Sequence, residues 1–303
     1  MAIKAFSLNR DEADEGIFRV NVDDPQPGDI RYIDKLIRMK AASDSILEIL
    51  IKFKNALAEH IKREAVVDIT KEGVTTTTEA QKALNEGVPA IAEGLEALDK
   101  IAEDQANPQN SQDTKIVNDA LAEITSETKK AGEYAQKAVE TCQKYANKET
   151  LIEFSLEDIK KDLDEMKENT HKVETSHIRI QRAHGQIKEV RQRRGIHSDI
   201  QHKETNLETG RINKDYSASA LNFLKENGVN PSNIQTLSAT ANNLNQKAQN
   251  QLEDSQSTLE QLQTQLERAQ AEAMATAKSA KHSINQLFTA PATSVENSGR
   301  LTP

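Results

Sequence analysis

Apolar residues fall at helical spacings along most of the chain from Ile30 onward. Ile33, Leu36, Ile37, Ile46, Leu50, Phe53, Leu57 and Ile61 recur at intervals of three and four over Ile30 to about Arg63, which predicts an apolar helix. Val66, Val67 and Ile69 read as a short strand or as the loop leading to the Gly-Val-Thr-Thr-Thr-Thr stretch at 73–78. Two further helices are predicted, one through Ala80, Leu84, Ile91, Leu95, Leu98 and Ile101, the next through Ile116, Leu121, Ile124, Ala131, Ala135, Ala138 and Cys142. Breaker-rich text around Asn107-Pro108 joins them, so they read as an αα-hairpin with a seam made mostly of alanine.

The most regular pattern follows. Ser155 with Asp158 marks a helix start, after which Ile159, Leu163, Met166, Thr170, Val173, His177, Ile180, His184 and Ile187 alternate steps of four and three. Such alternation describes a coiled-coil seam that Gly195 should end. A short helix at about 216–226, with Leu221 and Leu224 inward and Asn227-Gly228 as its cap, precedes a second seam. That seam runs from Leu237 through Leu259, Leu262 and Leu266 to Ile284 and Leu287. A helix over 237–287 is about 75 Å long at 1.5 Å per residue and needs a partner along most of that length.

The pattern predicts an all-α fold: a long intramolecular antiparallel coiled coil with an N-terminal helical hairpin and a small distal head. The expected divisions are a flexible acidic leader (1–29), N-terminal helices including the hairpin (30–150) and the first long coil helix (151–194). A distal connection (195–236), the second long helix (237–288) and a disordered tail (289–303) complete them. The prolines at 25 and 27 support an extended leader.

Composition sharpens this picture. Aromatic residues are 3% of the 303, Trp is absent, and there are 11 Gly and 7 Pro, which argues against sandwiches, barrels and doubly wound enzymes. Charged residues are 29% and apolar ones 36%, enough for narrow helical seams but not for a thick core. No run approaches the roughly 20 apolar residues that span a bilayer. The N-terminus lacks the apolar segment of a cleaved secretory signal. Cys142 is the single cysteine, so no disulfide within the chain is expected.

Candidate chemistry is sparse. His171, His177, His184, His197 and His202 cluster in the sequence, but His177 and His184 stand two helical turns, about 10 Å, apart, too far to share one ion. No metal and no cofactor is expected. His177 and His184 are instead polar seam residues that fix register and form a candidate pH-sensitive pair. The expected sign is that acid loosens the coil. Arg179, Arg182, Lys188, Arg191, Arg193 and Arg194 make a basic stretch, yet the net charge of −9 and the lack of stacking aromatics argue against nucleic acid. Phosphate-binding loops, dinucleotide fingerprints, zinc-protease motifs and nucleophile elbows are all missing, so no enzyme is expected.

The segments Asn233-Ile-Gln-Thr-Leu-Ser-Ala-Thr-Ala-Asn-Asn-Leu244 and Asp254-Ser-Gln-Ser-Thr-Leu-Glu-Gln-Leu-Gln-Thr-Gln-Leu266 resemble the closing helix of type III secretion needle-tip and filament proteins. The preceding Ala-Leu-Asn-Phe-Leu-Lys-Glu-Asn-Gly-Val-Asn is similar to the short helix and turn leading into it. The resemblance covers about the last 90 residues in wording. It implies a hydrophilic translocator, exported to the bacterial surface without a cleaved signal, that forms a platform for effector translocation. The partners it implies are the needle subunit, the pore-forming translocators and further copies of the chain. Ile284, Leu287 and Phe288 are then the expected assembly contact. The alternatives are a helical pore-forming toxin component, which Glu48, Lys52 and Lys54 disfavour, and a cytosolic coiled-coil scaffold or chaperone.

Overall fold

A computed structural model describes residues 44–104, 106–146, 150–196 and 216–289, the side chains of 44, 45, 150, 152 and 280–289 excepted. Among these residues every element is helical and none is a strand. The helices are α1 (Asp44–Glu103), α2 (Asn110–Tyr145), α3 (Leu156–Arg193), α4 (Tyr216–Glu226) and α5 (Pro231–Thr289), with one 3-10 turn at Thr150–Glu153. The leader, the tail and the start of the first expected helix lie outside the described residues, as do His197 and His202.

The strand or loop expected between Val66 and Thr78 is instead the middle of α1, which runs 60 residues without interruption. Two features reconcile this text with a helix. The hydroxyls of Thr75, Thr76 and Thr77 donate to the carbonyls of Lys71, Glu72 and Gly73 one turn back, so each polar group is satisfied within the helix. Val66, Val67 and Ile69 are all buried, and burial overrides weak propensity.

The chain divides into two compact units. The larger, Lys62–Glu253, holds the second part of α1, all of α2, α3 and α4, and the start of α5. Within it α2 runs antiparallel to α1 along a seam of small residues. A Cβ on Gly87 would lie 2.9 Å from Thr128 Oγ1, one on Gly94 2.7 Å from Leu121 Cδ2, and one on Gly73 would collide with Cys142 Sγ. Ala80 and Ala135, between these levels, are fully buried. This alanine and glycine seam lets the two helices approach more closely than leucines permit. Ile91, Ile124, Ile180, Ile187 and Leu224 complete one apolar cluster of this unit. Val66, Ile69, Cys142, Tyr145, Ile159, Met166 and Ala248 form a second.

Local signals at the helix ends are obeyed. Ser155 Oγ accepts from the Asp158 amide and Asp158 Oδ2 accepts from the Ser155 amide, both at 3.1 Å, a reciprocal capping box at the start of α3. Gly195 (φ 64°) and Gly228 (φ 78°) take the left-handed conformation that closes α3 and α4. In each case the next residue, Ile196 or Val229, donates 2.9 Å back to the carbonyl of Arg191 or Leu224. Leu224 points inward as expected, whereas Leu221 is exposed.

In the smaller unit, the described parts are the start of α1 and the rest of α5. Ile46, Leu50, Phe53, Leu57 and Ile61 are buried on α1, Leu259 and Leu266 on α5, and His60 Nδ1 lies 2.7 Å from Ser255 Oγ.

Candidate functional site

The first seam, read from sequence as facing the closing helix, meets other partners at its polar positions. Ile159, Met166, Val173, Ile180 and Ile187 are buried and Leu163 is half-buried. Between them, Thr170 donates to Glu72 Oε1 at 2.5 Å and lies 2.7 Å from Thr76 Oγ1. His177 Nδ1 is 3.9 Å from Glu79 Oε2, and His184 Nδ1 is 2.6 Å from Glu86 Oε1. Arg191 Nη1 donates to the Glu93 carbonyl at 3.0 Å and to Glu96 Oε2 at 2.6 Å. Glu72, Glu79, Glu86 and Glu93 recur every seventh residue on α1, as Thr170, His177, His184 and Arg191 do on α3. The two helices are therefore parallel and in heptad register, each carboxylate level facing a donor.

His184 is the most enclosed member. Its side chain is 5% exposed, and besides Glu86 it has Glu93, whose Oε2 lies 3.1 Å from Nε2 but off the line of a hydrogen bond. Burial favours loss of the imidazole's proton, but the close carboxylates of Glu93 and Glu86 outweigh it and hold the pKa above the ordinary histidine value. Burial likewise works to raise the Glu93 pKa, but His184, Arg191 and Lys188 outweigh it and hold it low. The pair is arranged as imidazolium and carboxylate.

A second polar layer joins α3 to α2, which run antiparallel. Buried Glu127 accepts from Ser176 Oγ at 2.8 Å, Arg179 Nη1 at 3.2 Å and Lys130 Nζ at 2.7 Å. Its pKa is kept low because these donors outweigh the effect of burial. Asp113, 2% exposed, meets Arg193 and Arg194 at 2.5 Å each. Asp162 accepts from Lys144 and the Tyr145 hydroxyl, both at 2.7 Å. Four of the six residues in the basic stretch thus have acidic partners within the fold: Arg179, Arg191, Arg193 and Arg194.

Of the remaining sequence-predicted residues, Leu259 and Leu266 are buried and Leu262 half-buried. Ile284, Leu287 and Phe288 belong to the helical backbone of α5, with side chains outside the described residues. Cys142 is buried, and burial pushes its thiol up to about 12, so it carries no thiolate at neutral pH. Among the described residues no group of three or more His, Cys, Asp or Glu is arranged to hold a metal ion, and no helix is long and apolar enough to cross a membrane.

Sequence reasoning found the donors on α3 but missed the glutamates opposite. Their signal was the seven-residue spacing of Glu72 to Glu93, hidden by the loop reading of 66–78. Chemically, these layers pair buried or half-buried charges across the seams between helices. Comparison with models of protein families, with curated proteins and with solved structures finds no match to this chain.

Proposed function

We propose that this chain is an exported structural and interaction protein of a type III secretion apparatus, working at the needle tip as an assembly platform for effector translocation. The observation that carries the reading is the antiparallel pairing of α5 with α1. In the larger unit Arg63 Nη1 donates to Gln251 Oε1 at 3.1 Å and Thr70 Oγ1 to Asn245 Oδ1 at 3.1 Å. In the smaller unit His60 meets Ser255. A closing helix paired against an earlier helix of the same chain is what the resemblance of 233–266 implies. The finer architecture that we propose is the one expected from the sequence: a long intramolecular antiparallel coiled coil closed by the C-terminal helix, with an N-terminal helical hairpin and with 195–236 as its small distal head. The end of α5, with Ile284, Leu287 and Phe288, is the contact for further copies, the needle subunit and the pore-forming translocators. The chain acts by presenting surfaces, with the buried polar layers holding those surfaces in one register.

The test is export. In a bacterium with a type III apparatus, the chain is expected in the medium of an export-competent strain and not in that of an export-null strain. Equal amounts in both media, or retention by both strains, overturns the assignment. Deleting residues 282–303 should abolish assembly with the needle while leaving the monomer helical by circular dichroism, and unchanged assembly refutes the docking role of this end.

A further inference from the structure

We propose that His184 is a proton-held latch, whose charged form joins Glu86 and Glu93 and closes the seam between α1 and α3, and whose loss of that proton loosens the seam as pH rises. The placement carries this. One ring nitrogen faces Glu86 at 2.6 Å and the other faces Glu93 at 3.1 Å, in a site where the imidazole is 5% exposed. A charged imidazole carries a proton on both nitrogens, so it donates to Glu86 through Nδ1 and stands in ion-pair contact with Glu93 through Nε2. A neutral one has a single N–H, so one carboxylate, Glu86 at 34% or Glu93 at 18% exposed, is left against a nitrogen lone pair.

The surroundings leave few other groups to take over. From α1 the facing charges are Glu86 and Glu93, and from α3 they are Lys188 and Arg191, whose Nε stands 3.9 Å from Glu93 Oε2. From α2 the neighbouring side chains are uncharged: Thr128 and Ile124 lie close to Gly87 and Leu121 close to Gly94, where Ile187 of α3 also reaches. The direction of the His184 pKa agrees. Because it is raised on folding, its contribution to stability is complete below the unfolded value of about 6.5 and is lost as pH climbs through the raised value. This is the reverse of the loosening by acid that the bare sequence suggests. The latch is independent of the export reading.

The test is a histidine titration by NMR on the full chain, with the His184 signal assigned from His184→Gln. The expected inflection lies above the ordinary histidine value and moves down in Glu86→Gln. The opening equilibrium of amides in 86–93 and 184–191, measured by hydrogen exchange corrected for intrinsic rate, should rise with pH by up to about tenfold per unit, the slope of one proton. His184→Lys, which keeps its charge through this range, should remove that rise. An inflection at or below about 6.5, or an equal rise in His184→Lys, overturns the proposal. The wild-type titration decides alone where a variant does not fold.

Discussion

Replacing Gly73 with alanine tests whether α1 and α2 approach as closely as their small-residue seam implies. In an unobstructed helix interior the change stabilises by about 1 kcal/mol, because alanine loses less backbone freedom on folding. At Gly73 the new methyl would collide with Cys142 Sγ, with Met166 Cε only 3.4 Å away and the Ala138 carbonyl at 3.9 Å. Overpacking of this kind costs about 1–3 kcal/mol, so the net expectation is a loss of about 1 kcal/mol. Cys142→Ala removes the obstructing sulfur, and in that background Gly73→Ala should recover the gain of about 1 kcal/mol. The coupling between the two changes is then about 2 kcal/mol, well above the scatter expected for independent sites. Urea unfolding of the four proteins, followed by circular dichroism, measures it. Gly185→Ala is the control, since a Cβ there meets nothing within 4 Å and should simply stabilise. Coupling below about 0.5 kcal/mol, or stabilisation by Gly73→Ala in both backgrounds, refutes the close seam.

Three other outcomes are expected. Ile180, fully buried, and Ile178, 64% exposed, are two residues apart on α3, so Ile180→Ala should cost about 2–5 kcal/mol and Ile178→Ala under about 0.5 in the same unfolding assay. Glu96→Ala leaves the buried Arg191 guanidinium without its 2.6 Å partner and should cost about 3 kcal/mol, with a smaller loss for Glu96→Gln. Ser155→Ala removes the acceptor for the Asp158 amide and should cost about 1 kcal/mol, read as faster exchange of the first amides of α3.

Much of the local structure was legible in the chain. The capping pair Ser155 and Asp158 and the terminating glycines 195 and 228 depend on residues within a turn of one another, and each does what its chemistry predicts. The alternation from Ile159 to Ile187 marked the buried face of α3, because a heptad pattern fixes which side of a helix is apolar whatever covers it. Reading failed where a residue's role depends on a distant one. Gly73 looked like a loop residue because glycine's missing Cβ has two uses, conformational freedom and close approach, and only the position of Cys142 shows which applies.

The histidines illustrate the same limit. Heptad spacing identified His177 and His184 as polar seam positions, but the sign of their response to pH depends on what faces them. An apolar partner would make protonation disruptive, whereas Glu86 and Glu93 make the proton part of the seam. Sequence by itself determined that this protein is helical, where several of its helices begin and end, and which face of α3 is buried, because propensity, capping and periodicity act within a few residues. The tertiary structure alone decided that α1 continues through 66–78, that α3 runs parallel to it in heptad register, and that buried arginines and histidines are matched by carboxylates. Those outcomes follow from burial and charge pairing between segments up to 98 residues apart, and the heptad spacing of the glutamates gains its meaning only once α3 lies against them.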